Sequence, residues 1–441
     1  MLKKEIGFPP IIQTNLMVKQ NNNDYFNKIS TTINEETYDL LLTNVNSILF
    51  DYSDHHSSNK KTLIKKLAEK KTNILFFLAY IKNIFWLSKR HQKAIISNAY
   101  VPINLNDTIT LLPPWSYSLR RSTYFSLEMA SIIKKINKEY NKRSIKVLLS
   151  VSFKQLVADF EVELSRMFVA KKIEALIVAN DLSFFENLSI KIAKRNKIPT
   201  FVYLHGLPAR YNNLDDNRAD YLVVWGNGIK KMYVENGVSE KKILTLKHPV
   251  YSDFEVLDLE SDLKNVLVLT KAISGTPCIS TELILPNRSV LLYYLELAKE
   301  NLKKLGVHKA SLRLHPSEEN DFYFNNLPDD FYSIDTSAKE DSLSKATLVL
   351  GPTSTMVLDA IKAGKNYILF DPVFDGLTLE GAPLVAPFTG ESFIKLSNTF
   401  EAIKENVENP SHNIDFNKLN AFFDVNELDY KKINDIITSN N

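Results

Sequence analysis

A single cysteine, Cys278, has no partner in the chain, so no disulfide framework holds this fold and a reducing compartment is expected. Neither sign of charge is in excess: 54 Lys and Arg stand against 51 Asp and Glu, a net of +3. A nucleic-acid binder would carry a basic stripe, and this balance argues against one. Long apolar runs are also missing. The nearest candidate, "NILFFLAYIKNIFWLSKRHQK" (73–93), is cut by Lys82 and falls short of the about 20 apolar residues of a spanning helix. Its aromatics beside Lys89, Arg90 and Lys93 would suit peripheral contact with the inner membrane. A core-facing helix with a basic end is the commoner use of such a stretch. Near the start, Pro9-Pro10 interrupts the place where a secretory signal needs a continuous apolar core, so no such signal is expected. No His, Cys or carboxylate spacing demands a metal, and Asp215-Asp216 lies in a polar turn rather than after an apolar strand.

What is present is a globular composition, 44% hydrophobic, in a chain of 441 residues, too long for one ordinary core. Short apolar runs alternate with helix-like stretches. Strands are expected at 45–51, 144–151, 174–180, 199–205 and 220–226, with helices such as 155–171 and 183–196 between them. Asp181 and Ser183 are placed to cap the second of these helices. A polar stretch at 248–264 reads as a linker. A second cycle then follows, with strands at 265–271, 310–315, 346–351 and 366–371, helices near 288–305 and 354–363, and a helical end. Runs rich in Val, Ile and Leu on both faces belong to parallel strands covered by helices. The expected fold is α/β, two Rossmann-like doubly wound domains facing a central cleft, divided as 1–250 and 251–441.

Ligands of open parallel sheets bind beyond the carboxyl ends of the strands. In the second half those ends carry Thr270-Lys271, His315-Pro316, Gly351-Pro352-Thr353-Ser354-Thr355 and Asp371-Pro372; in the first, Asn180-Asp181, His205-Gly206 and Gly226. "GPTSTMVLDAIKAGK" turns tightly out of a strand and starts an amphipathic helix, with Val357, Ala360, Ile361 and Gly364 in one stripe. Three hydroxyls at a helix start exceed what one cap requires and suit a phosphate, although one of them capping the helix is the plainer use. In "ASLRLHPSEEN", Pro316 ends the ladder and leaves His315 at the rim, able to donate to a phosphate or work as acid or base. The dipeptide alone says little, since His248-Pro249 repeats it. The order is more telling: His-Pro, then about 35 residues on, Gly-Pro-Thr-Ser-Thr.

That combination resembles the nucleotide-binding half of GT-B glycosyltransferases of bacterial surface-polysaccharide synthesis. The likeness is greatest to enzymes using CMP-activated acidic sugars: sialyl- and polysialyltransferases, capsule Kdo transferases and transferases of related nonulosonic acids. Teichoic-acid polymerases using CDP-glycerol look like cousins. The passage "FVYLHGLPARYNNLDDNRADYLVVWGNG" resembles the same families' run from the first domain towards the second. The likeness covers roughly 170–390 and leaves the first 140 residues, where the acceptor would bind, unmatched.

The resemblance implies that His315 and Pro316 contact the nucleotide and that Thr353, Ser354 and Thr355 contact its phosphate. The donor is then a CMP-sugar and the acceptor a glycan, lipid-linked or free, with no further cofactor. It would be metal-independent, as GT-B enzymes typically are. The acidic dipeptide-Gly motif that supplies the base in several sialyltransferases is missing. The base is therefore left among Asp181, which follows a first-domain strand, Glu186 one turn on, and His205; capping is as good an account of Asp181. Lys271, Ser274, Gly275 and Thr276 follow the second domain's first strand and would close over the phosphate or the sugar carboxylate, which Arg210 would also meet. Rival expectations are a CDP-glycerol-type transferase, a UDP- or GDP-sugar transferase, and a non-catalytic partner in polysaccharide assembly.

Overall fold

The computed structural model describes residues 93–99, 109–115, 126–211 apart from 141, 143 and 182, 218–271, 288–372 apart from 317, 319, 328 and 329, 379, 383–425 and 430–439. The expected strand at 45–51 and most of the 73–93 stretch lie outside the described residues. Packing divides the chain into two compact units. One runs to Tyr203 and includes Leu214–Leu222 and Lys431–Asn441; the other is Leu204–Asn213 with Val223–Tyr430. Residues 204–213 and 223–250 pack with the second unit. The Trp225 indole donates to the Leu204 carbonyl at 2.8 Å, and the Leu246 amide to the Val224 carbonyl at 2.9 Å.

The first sheet contains β1 (Ala94–Ser97), β2 (Ile109–Leu111), β3 (Ile173–Val178), β4 (Thr200–Tyr203), β5 (Tyr221–Val224) and β6 (Ile243–Thr245). Their order is β2-β1-β3-β4-β5-β6. Strands β1, β3 and β4 are buried at every position, as parallel strands covered on both faces must be. Helix α1 (Leu127–Tyr140) turns Met129, Ile132, Ile133 and Ile136 inward, an i, i+3, i+4, i+7 stripe. Helix α2 (Val151–Ala170) starts where the Ser150 hydroxyl accepts the Phe153 amide at 3.2 Å, and helix α3 (Phe184–Arg195) follows β3. The strand expected at 144–151 is instead a helical turn, Ile145–Leu148, followed by the start of α2. Ile145 and Leu148 are both buried, a helical rather than an alternating spacing.

The second sheet contains β7 (Val266–Leu269), β8 (Ala310–Arg313), β9 (Tyr332–Ile334), β10 (Leu348–Gly351) and β11 (Tyr367–Leu369), in the order β11-β10-β7-β8-β9. Each of its four pairings is parallel. In chain order this is 3-2-1-4-5, a Rossmann arrangement that reverses direction between β7 and β10. Among the described strands the first sheet reads 2-1-3-4-5-6 and reverses between β1 and β3. The α/β class, with two Rossmann-like doubly wound parallel sheets, is therefore the one the sequence led us to expect. These two reversal points are where such sheets open a crevice for ligands.

Gly351 closes β10 against the phenol of Tyr367. A Cβ there would run into the Tyr367 hydroxyl, 2.8 Å from Cζ and 3.1 Å from Leu269 Cδ1. Tyr367 is fully buried and its hydroxyl donates to the Pro352 carbonyl at 2.6 Å, so it cannot step aside. Gly351→Ala is expected to cost roughly 1–3 kcal/mol, the usual penalty of overpacking, read from the urea midpoint at unchanged slope.

Candidate active site

At the reversal point of the second sheet, residues from three strand ends converge. Lys271, two residues past β7, donates from Nζ to Thr353 Oγ1 at 2.7 Å, and Thr353 sits two residues past β10. His315, two residues past β8, is anchored by its backbone amide on Thr270 Oγ1 at 2.9 Å. The acidic turn after it closes on the His315 carbonyl, which accepts the Glu318 amide at 2.8 Å; Pro316 lies exposed within that turn. Burial pushes the Lys271 ammonium down to about 7, with Asp371 opposing the shift and Arg210 adding to it. The His315 imidazole is also held below its usual range, by lost hydration first and by Lys271 second. The result is a corner of positive charge beside a hydroxyl, partly stripped of water, with Asp371 as an opposing charge.

The neighbouring hydroxyls have separate duties. Ser354 Oγ accepts the Met356 amide at 3.2 Å, the local turn that starts the short helix α4 (Met356–Lys362). Thr355 Oγ1 accepts the Leu207 amide at 2.9 Å, which pins the His-Gly turn at 205–207 against this strand end. Gly206 fits because a Cβ would lie 3.1 Å from that same oxygen. Two motifs 148 residues apart thus form one wall within the second unit, and it includes His205, whose side chain is exposed. An accepting hydroxyl keeps its own O–H to give to an anion. Ser274 and Gly275, with Thr276, lie outside the described residues.

The reversal point of the first sheet holds a carboxylate. Asn98, one residue past β1, accepts the Ala179 amide at 2.9 Å and donates from Nδ2 to Glu186 Oε1 at 3.1 Å. Trp115 Nε1 donates to the same oxygen at 3.0 Å, and its ring stacks on Phe185 at 6.2 Å. Burial raises the Glu186 carboxyl above its usual range, although both donors pull it back. Asn98 and Trp115 were not nominated by the sequence. Asp181 has a different setting: no exposed surface, with Oδ2 accepting the Arg218 amide at 2.6 Å and the Arg218 guanidinium 3.8 Å from Oδ1. It ties down the segment around Arg218. Asn180, not Asp181, makes the turn into α3, taking the Ser183 amide at 2.9 Å and its hydroxyl at 2.8 Å.

The second His-Pro pair shows how far context decides. His248 is buried, lies 4.4 Å from the Trp225 ring and 4.6 Å from the Tyr251 ring, and accepts the Val250 and Tyr251 amides on Nδ1 at 3.1 and 3.0 Å. Burial, helped by Lys362, pulls it down to about 4. A histidine with a depressed native pKa stabilises above its unfolded pKa and loses that contribution as pH falls towards the native one. Unfolding free energy is expected to drop by about 2 kcal/mol from pH 7 to pH 5, and His248→Gln should flatten that part of a urea-derived stability profile.

Among the described residues no group of three His, Cys, Asp or Glu is disposed to hold a metal, and no helix is long and apolar enough to cross a membrane. No protein-family model and no curated protein matches the sequence. Solved structures with a similar fold include a UDP-N-acetylglucosamine 2-epimerase from Rickettsia bellii, at 13% identity over 79% of this chain and 96% of that one, TM-score 0.41. The glycotransferase of kitacinnamycin matches at 9% over 80% and 100%, TM-score 0.41. The lipopolysaccharide outer core galactosyltransferase WaaB, in its apo form, matches at 13% over 79% and 99%, TM-score 0.35. Overlap this loose carries no chemistry across, and the fold stands on the two parallel sheets themselves.

Proposed function

We propose that this chain is a glycosyltransferase that moves an acidic sugar from its CMP conjugate onto a bacterial surface glycan, in a capsule, O-antigen or glycoprotein. The sugar would be a nonulosonic acid, such as sialic, pseudaminic or legionaminic acid, or Kdo. The observation that carries this reading is the Lys271–Thr353 contact at the reversal point of the second sheet, with His315 and Arg210 beside it. That is a phosphate site by its chemistry: a cation that has lost much of its hydration gains most from an arriving anion. The likeness of His315-Pro316 and the 353–355 hydroxyls to the CMP-sugar enzymes supports the choice of nucleotide.

In this reading the bond between the anomeric carbon and the phosphate oxygen breaks, and the charge that develops on CMP is met by Lys271 and Arg210 rather than by a metal. Glu186 takes the proton of the acceptor hydroxyl. Its raised pKa suits a base better than the paired, inaccessible Asp181, and His205 stands second. Such an enzyme would work in the cytoplasm, at the inner membrane where its acceptor is lipid-linked.

The test is thermal unfolding of the full chain with CMP, CDP, UDP and GDP in parallel. Saturation at about 100 times the dissociation constant adds about 2.7 kcal/mol to stability. Stabilisation by CMP that is lost in His315→Ala is the expected result. Stabilisation by UDP or GDP alone would keep a nucleotide-sugar transferase and discard this donor. A response to CDP beyond CMP would favour the CDP-glycerol class, and none at all would leave a non-catalytic partner.

A further inference from the structure

The two oxygens of the Glu186 carboxylate are held unequally. Asn98 Nδ2 at 3.1 Å and Trp115 Nε1 at 3.0 Å both donate to Oε1, from positions 88 and 71 residues away. Both donors are fixed. The Ala179 amide donates to Asn98 Oδ1 at 2.9 Å, and the Asn98 backbone amide donates to the Ile177 carbonyl at 3.2 Å. With its oxygen engaged there, the Asn98 NH2 faces Glu186. The Trp115 ring is buried, edge-on to Phe160 at 6.4 Å and stacked on Phe185. Glu186 itself is half-buried, and no hydrogen bond from another described side chain reaches Oε2. The carboxylates of the flanking elements have partners of their own. On α2, Asp159 takes the Gln155 amide, Glu161 pairs with Arg195 and Glu163 with Arg166; on β3, Glu174 pairs with Lys93. The charge at Glu186 is set without them: lost hydration raises the carboxyl, and neutral donors, Trp115 ahead of Asn98, pull it back.

We propose that Asn98 and Trp115 are positioning residues for the Glu186 base: together they hold Oε1, so that the proton of the acceptor hydroxyl is received on Oε2. The inference rests on the reading of Glu186 as the base. In the transfer the acceptor O–H bond breaks and its proton passes to Oε2. The acceptor oxygen bonds to the anomeric carbon, and the electron pair of the sugar–phosphate bond leaves with CMP. Oε1 already accepts two N–H groups, which occupy its lone pairs, so Oε2 is the basic atom. The same two bonds favour the charged carboxylate, so removing either should raise the pH at which Glu186 ionises.

The Trp115 indole N–H reports on this bond. The chain has three tryptophans, so an indole N–H magnetic-resonance spectrum of the full chain holds three signals, and Trp115→Phe identifies the one on Glu186. Without any ligand, that signal should follow one titration, at a higher pH in Asn98→Ala than in the wild type. The Trp225 signal, from an indole on the Leu204 carbonyl, is the internal reference. In Glu186→Gln the Trp115 signal should be independent of pH and coincide with the acid end of the wild-type curve, because glutamine offers a carbonyl oxygen and carries its hydrogens at the other position. A signal that does not titrate, or whose acid form departs from that of Glu186→Gln, would overturn the proposal. A kinetic measurement reads CMP released from a CMP-activated sialic acid. Asn98→Ala and Trp115→Phe should lower kcat by up to about 100-fold and leave KM within about twofold, as a misplaced catalytic group does. Both should also move the acid limb of kcat/KM to higher pH. Asn98→Ala leaves the buried ring in place, which keeps the test decisive if Trp115→Phe folds poorly. A loss of rate with an unmoved acid limb would mark a structural role and sink the inference. If the wild type leaves the sialic acid donor intact, that donor is discarded, and the match between the acid form and Glu186→Gln still decides where the proton sits.

Discussion

Lys271→Met is expected to weaken CMP about 10- to 100-fold and to erase most of its thermal stabilisation, the loss of a charge-assisted hydrogen bond worth about 1.5–3 kcal/mol. Methionine keeps the length and apolar stem of the side chain, so the effect isolates the ammonium, whose partner Thr353 is itself buried. The same change strands Asp371. A carboxyl already raised by burial loses the Lys271 charge that lowers it, and its native pKa climbs further. A raised carboxyl contributes stability only below its native pKa, so the variant should lose stability relative to the wild type as pH rises. Adding Asp371→Asn should recover it. A double-mutant cycle in urea, run at two pH values, reads this coupling without any ligand. In the wild type, CMP affinity should fall once pH passes neutrality, because the free enzyme then releases the Lys271 proton that the bound form retains. A CMP affinity unchanged in Lys271→Met would remove the phosphate from this corner altogether.

Much of this corner was legible in the sequence because apolar runs of four to six residues announce buried parallel strands. "VLVL", "IEALIV" and "LVLG" became β7, β3 and β10, and the polar residues that followed were the strand-end residues of the fold. Four other strands were not expected from the sequence. β1, β2, β6 and β9 are set by pairing with neighbours, which a linear pattern does not display. At 144–151 an apolar cluster misled because only burial separates helical from alternating spacing over so short a run. The two acidic candidates show the limit from another side. Asp181 and Glu186 follow the same strand five residues apart, and the sequence ranks the nearer one first. Packing gives them different settings: Arg218 reaches Asp181 from 37 positions away, whereas Asn98 and Trp115 reach Glu186 from 88 and 71. Asp371 was visible as a strand end, but its unpartnered oxygen was not, since that depends on where Tyr294 and Tyr367 direct their protons.

Glu186→Gln should separate catalysis from binding. Loss of a general base costs about 10²–10⁴ in rate, whereas CMP affinity should stay within about twofold, because none of the residues at the Lys271 corner is altered. Glutamine can offer its carbonyl oxygen to Trp115 and Asn98, which both donate to Oε1, so the local bonds survive. Stability should move in the opposite direction to activity. The raised carboxyl of Glu186 opposes folding once it ionises, and a neutral amide removes that cost, so the variant should melt at the same temperature or higher at pH 7–8. The acid limb of wild-type kcat/KM should follow the Glu186 ionisation and lie above the ordinary carboxylate range, since only the ionised form accepts the acceptor's proton. A variant that is both inactive and less stable would mark Glu186 as structural. A stable variant that retains most of its rate would pass the role to His205.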